Sequence, residues 1–464
     1  MSIGRLLDIS VRTMNTYQSA IDTASQNISN AGNPDYTRQK VVFANEVGEK
    51  GIGIGVKIQD VLRIRNDILD SQLRKYQSSL SDSQKRSEVL KQIEAIVSEP
   101  STNGLSTFIT EFFNAWDALS ANPNSQQLRL TVIQKAQELS SRFKDTIDGF
   151  SEIQYMLQQD ANVQVNQIND YLKGIYELNQ RIYDAEARGT KANELKDQRD
   201  ALIDKLSQIV NISVQKNEYG TVLVNVGGVF GADQTNFNQF EVKMVDGQLR
   251  LASKLDSNSL AYVNGGEFFA TSDLLSNKIA AYKSAYEKLA TNFVDQVNAV
   301  HTQGYTLPIG GSSNTGIPFF GELNSSGKIV NAFVDGEIKI NSAVLSDPRN
   351  IAASSVAGYE GNNEIATRIA ELSKAKIPEL DNQTFTENYT SIINSIAQEK
   401  VMSDNSITSN DLVVQNLKTQ KASYSGVSID EEMTNVMKYQ RSYEAASKLV
   451  KIADELLQTI LNMV

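Results

Sequence analysis

The chain contains no cysteine, and its 464 residues include a single histidine, His301, and a single tryptophan, Trp116. The lack of cysteine excludes disulfide scaffolds, thiol catalysis, iron–sulfur clusters and cysteine-ligated zinc sites. Any histidine-dependent mechanism would have to use His301 alone. No run of about 18 apolar residues is present, so we expect no membrane-spanning helix. Asp8 and Arg12 interrupt the stretch that a signal peptide keeps apolar, so we expect any export to follow another route.

The chain also has fewer basic than acidic residues. The chain has 44 lysines and arginines against 55 acidic residues, which gives a net charge of −11 and a pI near 4.9. We therefore expect neither nucleic acid nor an anionic membrane surface as a partner. The hydrophobic fraction of 40% and the charged fraction of 21% are ordinary for a folded protein.

The N-terminal segment is apolar at eight of nine positions spaced alternately by four and three residues. These positions are Ile3, Leu7, Ser10, Met14, Tyr17, Ile21, Ala24, Ile28 and Ala31. The spacing predicts one helix with the apolar seam of a coiled coil. We expect the helix to stop at 30–34, with Gly32 as a left-handed terminator and Pro34 as a barrier to continuation.

The C-terminal segment shows the same alternation at nine of nine positions, from 436 to 464. Leu449, Leu456 and Met463 form a second stripe beside it, and this wider apolar face favours burial against several helices. We predict an assembly seam made of Leu7, Met14, Tyr17, Ile21, Ala24 and Ile28 with Val436, Tyr439, Tyr443, Ala446, Val450, Ala453, Leu457, Ile460 and Val464. Ser428 and Glu431 predict a capping box at the start of this helix.

The middle of the chain predicts a mainly α fold with a β-rich insertion. Period-two patterns occur around 212–270 and resume at about 305–346, while the flanking segments have helical periodicity. We expect a terminal coiled-coil core domain (1–62 and 425–464, with an extended segment at 41–62), a helical rod domain (63–210, 271–304 and 347–424) and a β-rich outer domain (211–270 and 305–346). Gly51, Gly53 and Gly55 favour a glycine-kinked strand over a phosphate loop, because the Gly-Lys-Ser/Thr ending is missing.

No motif predicts an active site, a cofactor or a metal centre. His301 has no nucleophile or carboxylate partner within a known sequence motif, so a structural role is favoured over a catalytic one. The neighbouring Glu431 and Glu432 suit a helix N-terminus better than acid–base chemistry. The terminal stripes could face the core of their own domain, but their position at both ends and their width favour assembly between molecules.

Residues 27–39 resemble the signature that the rod, hook and hook-associated proteins of the bacterial flagellum share. In this signature a helix ends at Asn27 and Asn30, Pro34 bounds a turn, and Tyr36 and Arg38 fix the segment that follows. The signature indicates the superfamily of flagellar axial proteins without choosing a member.

Six further segments resemble the hook-associated protein family of the hook–filament junction (the FlgK family). They are the segments at 425–433 and 439–443, 193–202, 112–123, 265–267 and 297–305. The resemblance implies a secreted structural protein of the flagellum, exported by the flagellar type III apparatus, whose terminal helices self-assemble into a ring. It also implies the hook protein as proximal partner, the third hook-associated protein as distal partner, and a cytoplasmic export chaperone at the C-terminal helix.

Two alternatives stay open on the sequence. The chain could be another axial protein, namely flagellin, a hook protein or the third hook-associated protein. Flagellin would lack the turn at 27–38, and the third hook-associated protein would lack the segment at 265–267 and the His301 region. The alternative from another class is a secreted hydrolase built on the β-rich insertion, which would need carboxylates that converge in a pocket.

Overall fold

The computed structural model describes residues 3–47, 53–97 and 104–462. Its helices are α1 (Ile3–Ser29), α2 (Asp67–Val97), α3 (Leu105–Ala121), α4 (Gln126–Ala187), α5 (Asn193–Ile209), α6 (Glu267–Asp273), α7 (Ile279–His301), α8 (Ser342–Ser346), α9 (Glu364–Glu371), α10 (Phe385–Ser425) and α11 (Ile429–Leu461). Its strands are β1 (Gln39–Val47), β2 (Gly53–Arg63), β3 (Ile212–Lys216), β4 (Val222–Val226), β5 (Val229–Ala232), β6 (Phe240–Val245), β7 (Gln248–Ser253), β8 (Leu260–Ala261), β9 (Glu322–Leu323), β10 (Ile329–Val330), β11 (Phe333–Val334) and β12 (Glu337–Ile338). The mainly α fold with a β-rich insertion is confirmed.

The two ends of the chain pack on each other. Helix α1 contacts α11 along its length, and the antiparallel hairpin of β1 and β2 covers α1. Tyr17 of α1 faces Tyr439 of α11, while Arg38, beyond the end of α1, reaches Glu432 at the start of α11. The two terminal helices are therefore antiparallel.

The first large core joins distant helices. Apolar side chains from α3, from α4 up to Leu157 and from α7, α9 and α10 form one continuous cluster. Trp116, Phe112 and Phe293 are buried at its centre, where Phe112 contacts both other rings edge-on. This packing of large aromatic rings gives the core well-defined contacts.

The second core carries the β-rich insertion. The part of α4 after Ala161 packs with α5, α6 and the strands β3 to β8, which form two three-stranded antiparallel sheets. The alternating burial of Val222, Val224 and Val226 explains the period of two in the sequence. The long helix α4 thus passes through both cores.

The β segment at 305–346 does not share the core of the segment at 211–270, although the period-two patterns of both segments predict one outer domain. Phe319, Phe320 and Ile338 are buried in the first core, against α3 and α7. Its strands are only two residues long, so burial of these apolar side chains decides where the segment lies. In the described structure, 305–346 belongs with the helices.

Two local expectations differ from the structure, and a third agrees with it. Gly32 does not adopt a left-handed conformation. The chain leaves α1 through successive turns, in which the Ala31 N–H donates to the Ile28 carbonyl and the Asn33 N–H donates to the Asn30 carbonyl. Helices do not run without interruption from 347, since 351–363 is irregular. Gly55 does kink strand β2, with φ +127° beside a register shift, whereas Gly51 lies outside the described residues.

Candidate assembly interface and its polar junction

The seam between α1 and α11 is built largely from small and aromatic side chains. Ala24, Ala446 and Ala453 are buried where the helix backbones approach. Tyr17, Phe43 and Tyr439 form a ring cluster with centroid distances of 5.7 to 6.2 Å. Alanine contributes little hydrophobic stabilisation compared with a buried leucine, which is worth about 1.5–3 kcal/mol. The pair therefore has few large buried aliphatic groups.

The predicted seam residues are only partly covered by this pairing. Half-buried positions are Leu7, Met14, Tyr17, Ile21, Ile28, Val436, Tyr439, Tyr443 and Val450. Leu457 and Ile460 remain exposed, at 38% and 50% of their surface, and Val464 lies outside the described residues. The structure thus brings the predicted positions of α1 and most of those of α11 together and leaves the last turns of α11 uncovered.

A second apolar row of α11 lies beside the seam and stays exposed. Leu449, Ile452 and Leu456 expose 41%, 47% and 46% of their surface. Residues three and four apart share one face of a helix, so these side chains form a continuous stripe beside the seam. Single exposed apolar residues are common, but a row on one helix that continues to Ile460 is typical of an interaction surface.

The signature turn is organised by the Asn27 side-chain amide. Its nitrogen donates to the Gln39 carbonyl at 2.8 Å, and its oxygen accepts from the Gln39 backbone N–H at 3.0 Å and from the Tyr36 hydroxyl at 2.8 Å. Asn27 is buried, and burial raises the pKa of Tyr36 to about 12, which keeps its hydroxyl a donor. The exposed Pro34 lies at the tip, and the half-buried Asn30 donates to Gln26. The amide therefore links the end of α1 to the start of β1.

Arg38 connects this turn to the start of α11. Its guanidinium pairs with Glu432 at 2.7 Å and with Glu431 at 2.9 Å, and its backbone N–H donates to the Ser425 carbonyl at 3.1 Å. Ser428 caps α11 as predicted, with its hydroxyl accepting from the Glu431 N–H at 3.4 Å. Among the described hydrogen bonds, only this half of the predicted capping box is present, because the Glu431 carboxylate turns to Arg38.

Helix α5 supplies further residues of this junction, which no local sequence pattern indicates. Asp197 accepts from the Thr37 N–H at 3.1 Å and from its hydroxyl at 2.7 Å. Asn193 donates to the Gln39 side chain at 2.8 Å and to the Val61 carbonyl at 3.0 Å. Both residues belong to the segment at 193–202 that carries the family resemblance. That resemblance was the available signal, since no local pattern shows that Thr37 and Asp197, 160 residues apart, contact each other.

A cluster of buried charges extends this junction. Asp200 contacts Arg63, Arg65 and Arg199, and Arg65 also contacts Asp70. Burial alone would raise the pKa of Asp200, but the three arginines outweigh it and hold the pKa well below its ordinary value. The cluster joins the β2–α2 connection to α5, so the terminal hairpin is held on the helices by charge as well as by hydrogen bonds.

His301 has a structural position. Its Nδ1 lies 2.8 Å from the Ile317 carbonyl, and its Nε2 accepts from the Ala352 N–H at 2.9 Å. The ring is fully buried, and burial lowers its pKa to about 4. A neutral ring that donates from Nδ1 satisfies both contacts, which leaves no nitrogen for proton transfer.

Within 3–47, 53–97 and 104–462, no three histidine or carboxylate side chains gather in a way that could hold a metal ion. Over the same ranges, no helix combines the length and the hydropathy that crossing a bilayer requires.

Terminal helices that pair with each other, with this turn after α1, are consistent with the class of flagellar axial proteins that the signature indicates, and the family models place the chain in it. A family model described as the flagellar hook-associated protein FlgK helical domain matches residues 90–320, and one described as the flagellar basal body rod FlgEFG protein C-terminal region matches residues 420–463. The chain belongs to the family of the flagellar hook-associated protein FlgK. It is accordingly a structural component of the flagellum.

Individual relatives are similar to this chain over nearly its whole length. The flagellar hook-associated protein 1 of Bacillus subtilis is 27% identical, over 98% of this chain and 97% of its own length. The protein of the same name from Salmonella typhimurium is 25% identical, over 99% of both chains. The solved structure of the flagellar hook junction protein FlgK from Burkholderia pseudomallei covers 76% of this chain and all of its own, with a TM-score of 0.64 and 15% identity. That likeness supports the fold.

Proposed function

We propose that this chain forms the junction between the flagellar hook and the filament by self-assembly of its terminal helices into a ring. The observation that carries the proposal is the stripe of Leu449, Ile452 and Leu456, which stays exposed although α1 and α11 pair with each other. Transfer of apolar surface from water stabilises association by roughly 25 cal/mol per Å². A neighbouring copy that covers the stripe would gain this stabilisation.

The same surface suits the other expected partners. The proposed proximal neighbour is the hook protein and the distal one is the third hook-associated protein, both of which would contact the ring through helices like α1 and α11. Before assembly, an export chaperone would cover the apolar part of α11, from Val436 onwards. The proposed location is extracellular, after export by the flagellar type III apparatus.

In the proposed arrangement, the terminal helix pair lines the central channel of the ring. The second core, with its β sheets, lies on the outside. The junction of Asn27, Arg38 and Asp197 would fix the angle between these two parts of the chain. In this arrangement the segment 305–346 lies with the helical part, in accordance with its burial in the first core.

The test is a charged substitution within the exposed stripe. Leu456→Asp should prevent junction assembly, seen as unattached filaments in electron micrographs and as lost motility, while circular dichroism stays unchanged. Ser447→Asp is the matched control, because it adds the same charge at an exposed position about 180° around the helix. Leu457→Asp at the edge of the seam should give the same defect and weaken chaperone binding. Normal assembly of Leu456→Asp would refute the proposal.

A further inference from the structure

Helix α11 carries another exposed apolar row, near its beginning. Ile429, Met433 and Met437 follow one another at intervals of four residues, so they share one face of the helix. Their exposed fractions are 53%, 49% and 50%. The long, flexible side chain of methionine adapts to irregular apolar partners, so this methionine row (Ile429, Met433 and Met437) suits a contact surface.

The methionine row and the exposed stripe of Leu449, Ile452 and Leu456 lie on the two flanks of the seam. At about 100° per residue, their centres are about 130° apart around the helix. The displacement along the helix is 19 residues, from Met437 to Leu456, or about 28 Å at about 1.5 Å per residue. Each terminal helix pair therefore presents one apolar row to either side.

The charges beside the two rows are of opposite sign. Asp430 lies in the first turn of α11, next to the methionine row, and Lys448 directly precedes the exposed stripe. Both side chains are exposed. Within the described part of the chain neither belongs to an ion pair, whereas Glu431 and Glu432 pair with Arg38. Asp430 and Lys448 are thus available to an outside partner.

We infer that the exposed stripe of one copy packs on the methionine row of the next copy. The inference rests on the proposed function and names the surface that covers the stripe. Two parallel α11 helices displaced by 19 residues place Leu456 of one copy at the level of Met437 of the next. In the same register Lys448 lies at the level of Ile429, on the same side of the contact as Asp430. Opposite charges therefore meet beside the apolar contact and fix its register.

The positions of the two rows suit a ring of parallel copies. The contact uses two different surfaces of each copy, so it is heterologous and leaves one row free at each end of a pair. Because the rows are about 130° rather than 180° apart, successive copies turn in the same sense. Contacts of this type close into rings or continue as helices.

Disulfide cross-linking tests the register directly, because the chain contains no cysteine of its own. Met437→Cys combined with Leu456→Cys in the full chain, oxidised in assembled flagella, should give a ladder of products at multiples of the chain mass. The two positions are about 28 Å apart within one helix, whereas a disulfide joins Cα atoms less than about 7 Å apart. A ladder therefore reports contacts between copies, and neither single substitution should give one.

Met437→Cys combined with Gln458→Cys is the matched control. Gln458 is exposed two residues after Leu456, about 160° around the helix, so this pair should give no ladder. An equal ladder in the control, no ladder in the test pair, or a product with a different axial protein would overturn the inference.

A charged substitution in the methionine row separates this inference from the proposed function. Met433→Asp should reduce the number of assembled junctions at least several-fold, without a change in circular dichroism. Thr434→Asp adds the same charge at the next exposed position, about 100° around the helix, and should assemble normally. An equal loss in Thr434→Asp would overturn the inference. If Met433→Asp assembles while Leu456→Asp fails, the inference is wrong and the proposed function stands. If both assemble, both are wrong.

Discussion

Arg38 and Glu432 stand 394 positions apart in the chain, and the Arg38 guanidinium donates to the Glu432 carboxylate at 2.7 and 2.8 Å. The Glu432 side chain is almost fully buried, while Arg38 keeps a quarter of its surface exposed. Since a buried carboxylate needs a partner, the beginning and the end of the chain have to fold against each other. The pair therefore couples the signature turn to helix α11.

Arg38→Ala should destabilise the terminal helix pair by about 1–3 kcal/mol, because Glu432 stays buried without its partner. Amide hydrogen exchange of α1 and α11 measures this local stability, and the two large cores should keep their protection. Arg12→Ala is the matched control, since its pair with Glu46 is far more exposed than the Arg38–Glu432 pair and contributes under about 1 kcal/mol. Equal exchange in the two variants would show that the Arg38 pair does not hold the helices together.

Asn27→Ala should loosen the signature turn by about 1–3 kcal/mol, since it removes three hydrogen bonds to Gln39 and Tyr36. Asn30→Ala serves as control, because its side chain makes one exposed contact with Gln26 and should cost less than about 0.5 kcal/mol. Thermal unfolding followed by circular dichroism compares the two variants. A larger decrease of the melting temperature in Asn30→Ala than in Asn27→Ala would contradict the role given to Asn27.

The sequence predicted the helices well where periodicity is long and regular. Helices α1, α4 and α11 follow their apolar stripes closely, because a stripe repeated over many turns leaves few alternatives. The polar junction was accessible only through the resemblance, because Thr37 and Asp197 meet across 160 residues of chain. The position of 305–346 could not be predicted either, since Phe319 and Phe320 are buried by tertiary packing rather than by a local pattern.

His301 should make the stability of the first core depend on pH. The unfolded ring takes up a proton near pH 6.5, while the buried ring takes it up only near pH 4. The unfolded chain therefore binds more protons in this window, and the free energy of unfolding falls by up to about 3 kcal/mol as the pH is lowered from 6.5 to 4. His301→Gln should remove this contribution. Urea unfolding of both proteins at pH 4.5 and pH 7 isolates it from the carboxylates, and identical pH dependences would exclude it.

Gly266 and Gly32 should respond in opposite ways to alanine. Gly266 has φ +85°, and an added Cβ would lie 2.4 Å from the Ile209 carbonyl oxygen, so Gly266→Ala should destabilise the second core by more than about 1 kcal/mol. At Gly32, φ is not positive and nothing lies within 4 Å of an added Cβ. Because alanine reduces the freedom of the unfolded chain, Gly32→Ala should stabilise the protein by about 0.4–1 kcal/mol. Melting temperatures of the two variants test both expectations. A clearly lower melting temperature of Gly32→Ala would indicate that Gly32 is the left-handed helix terminator that the sequence predicts.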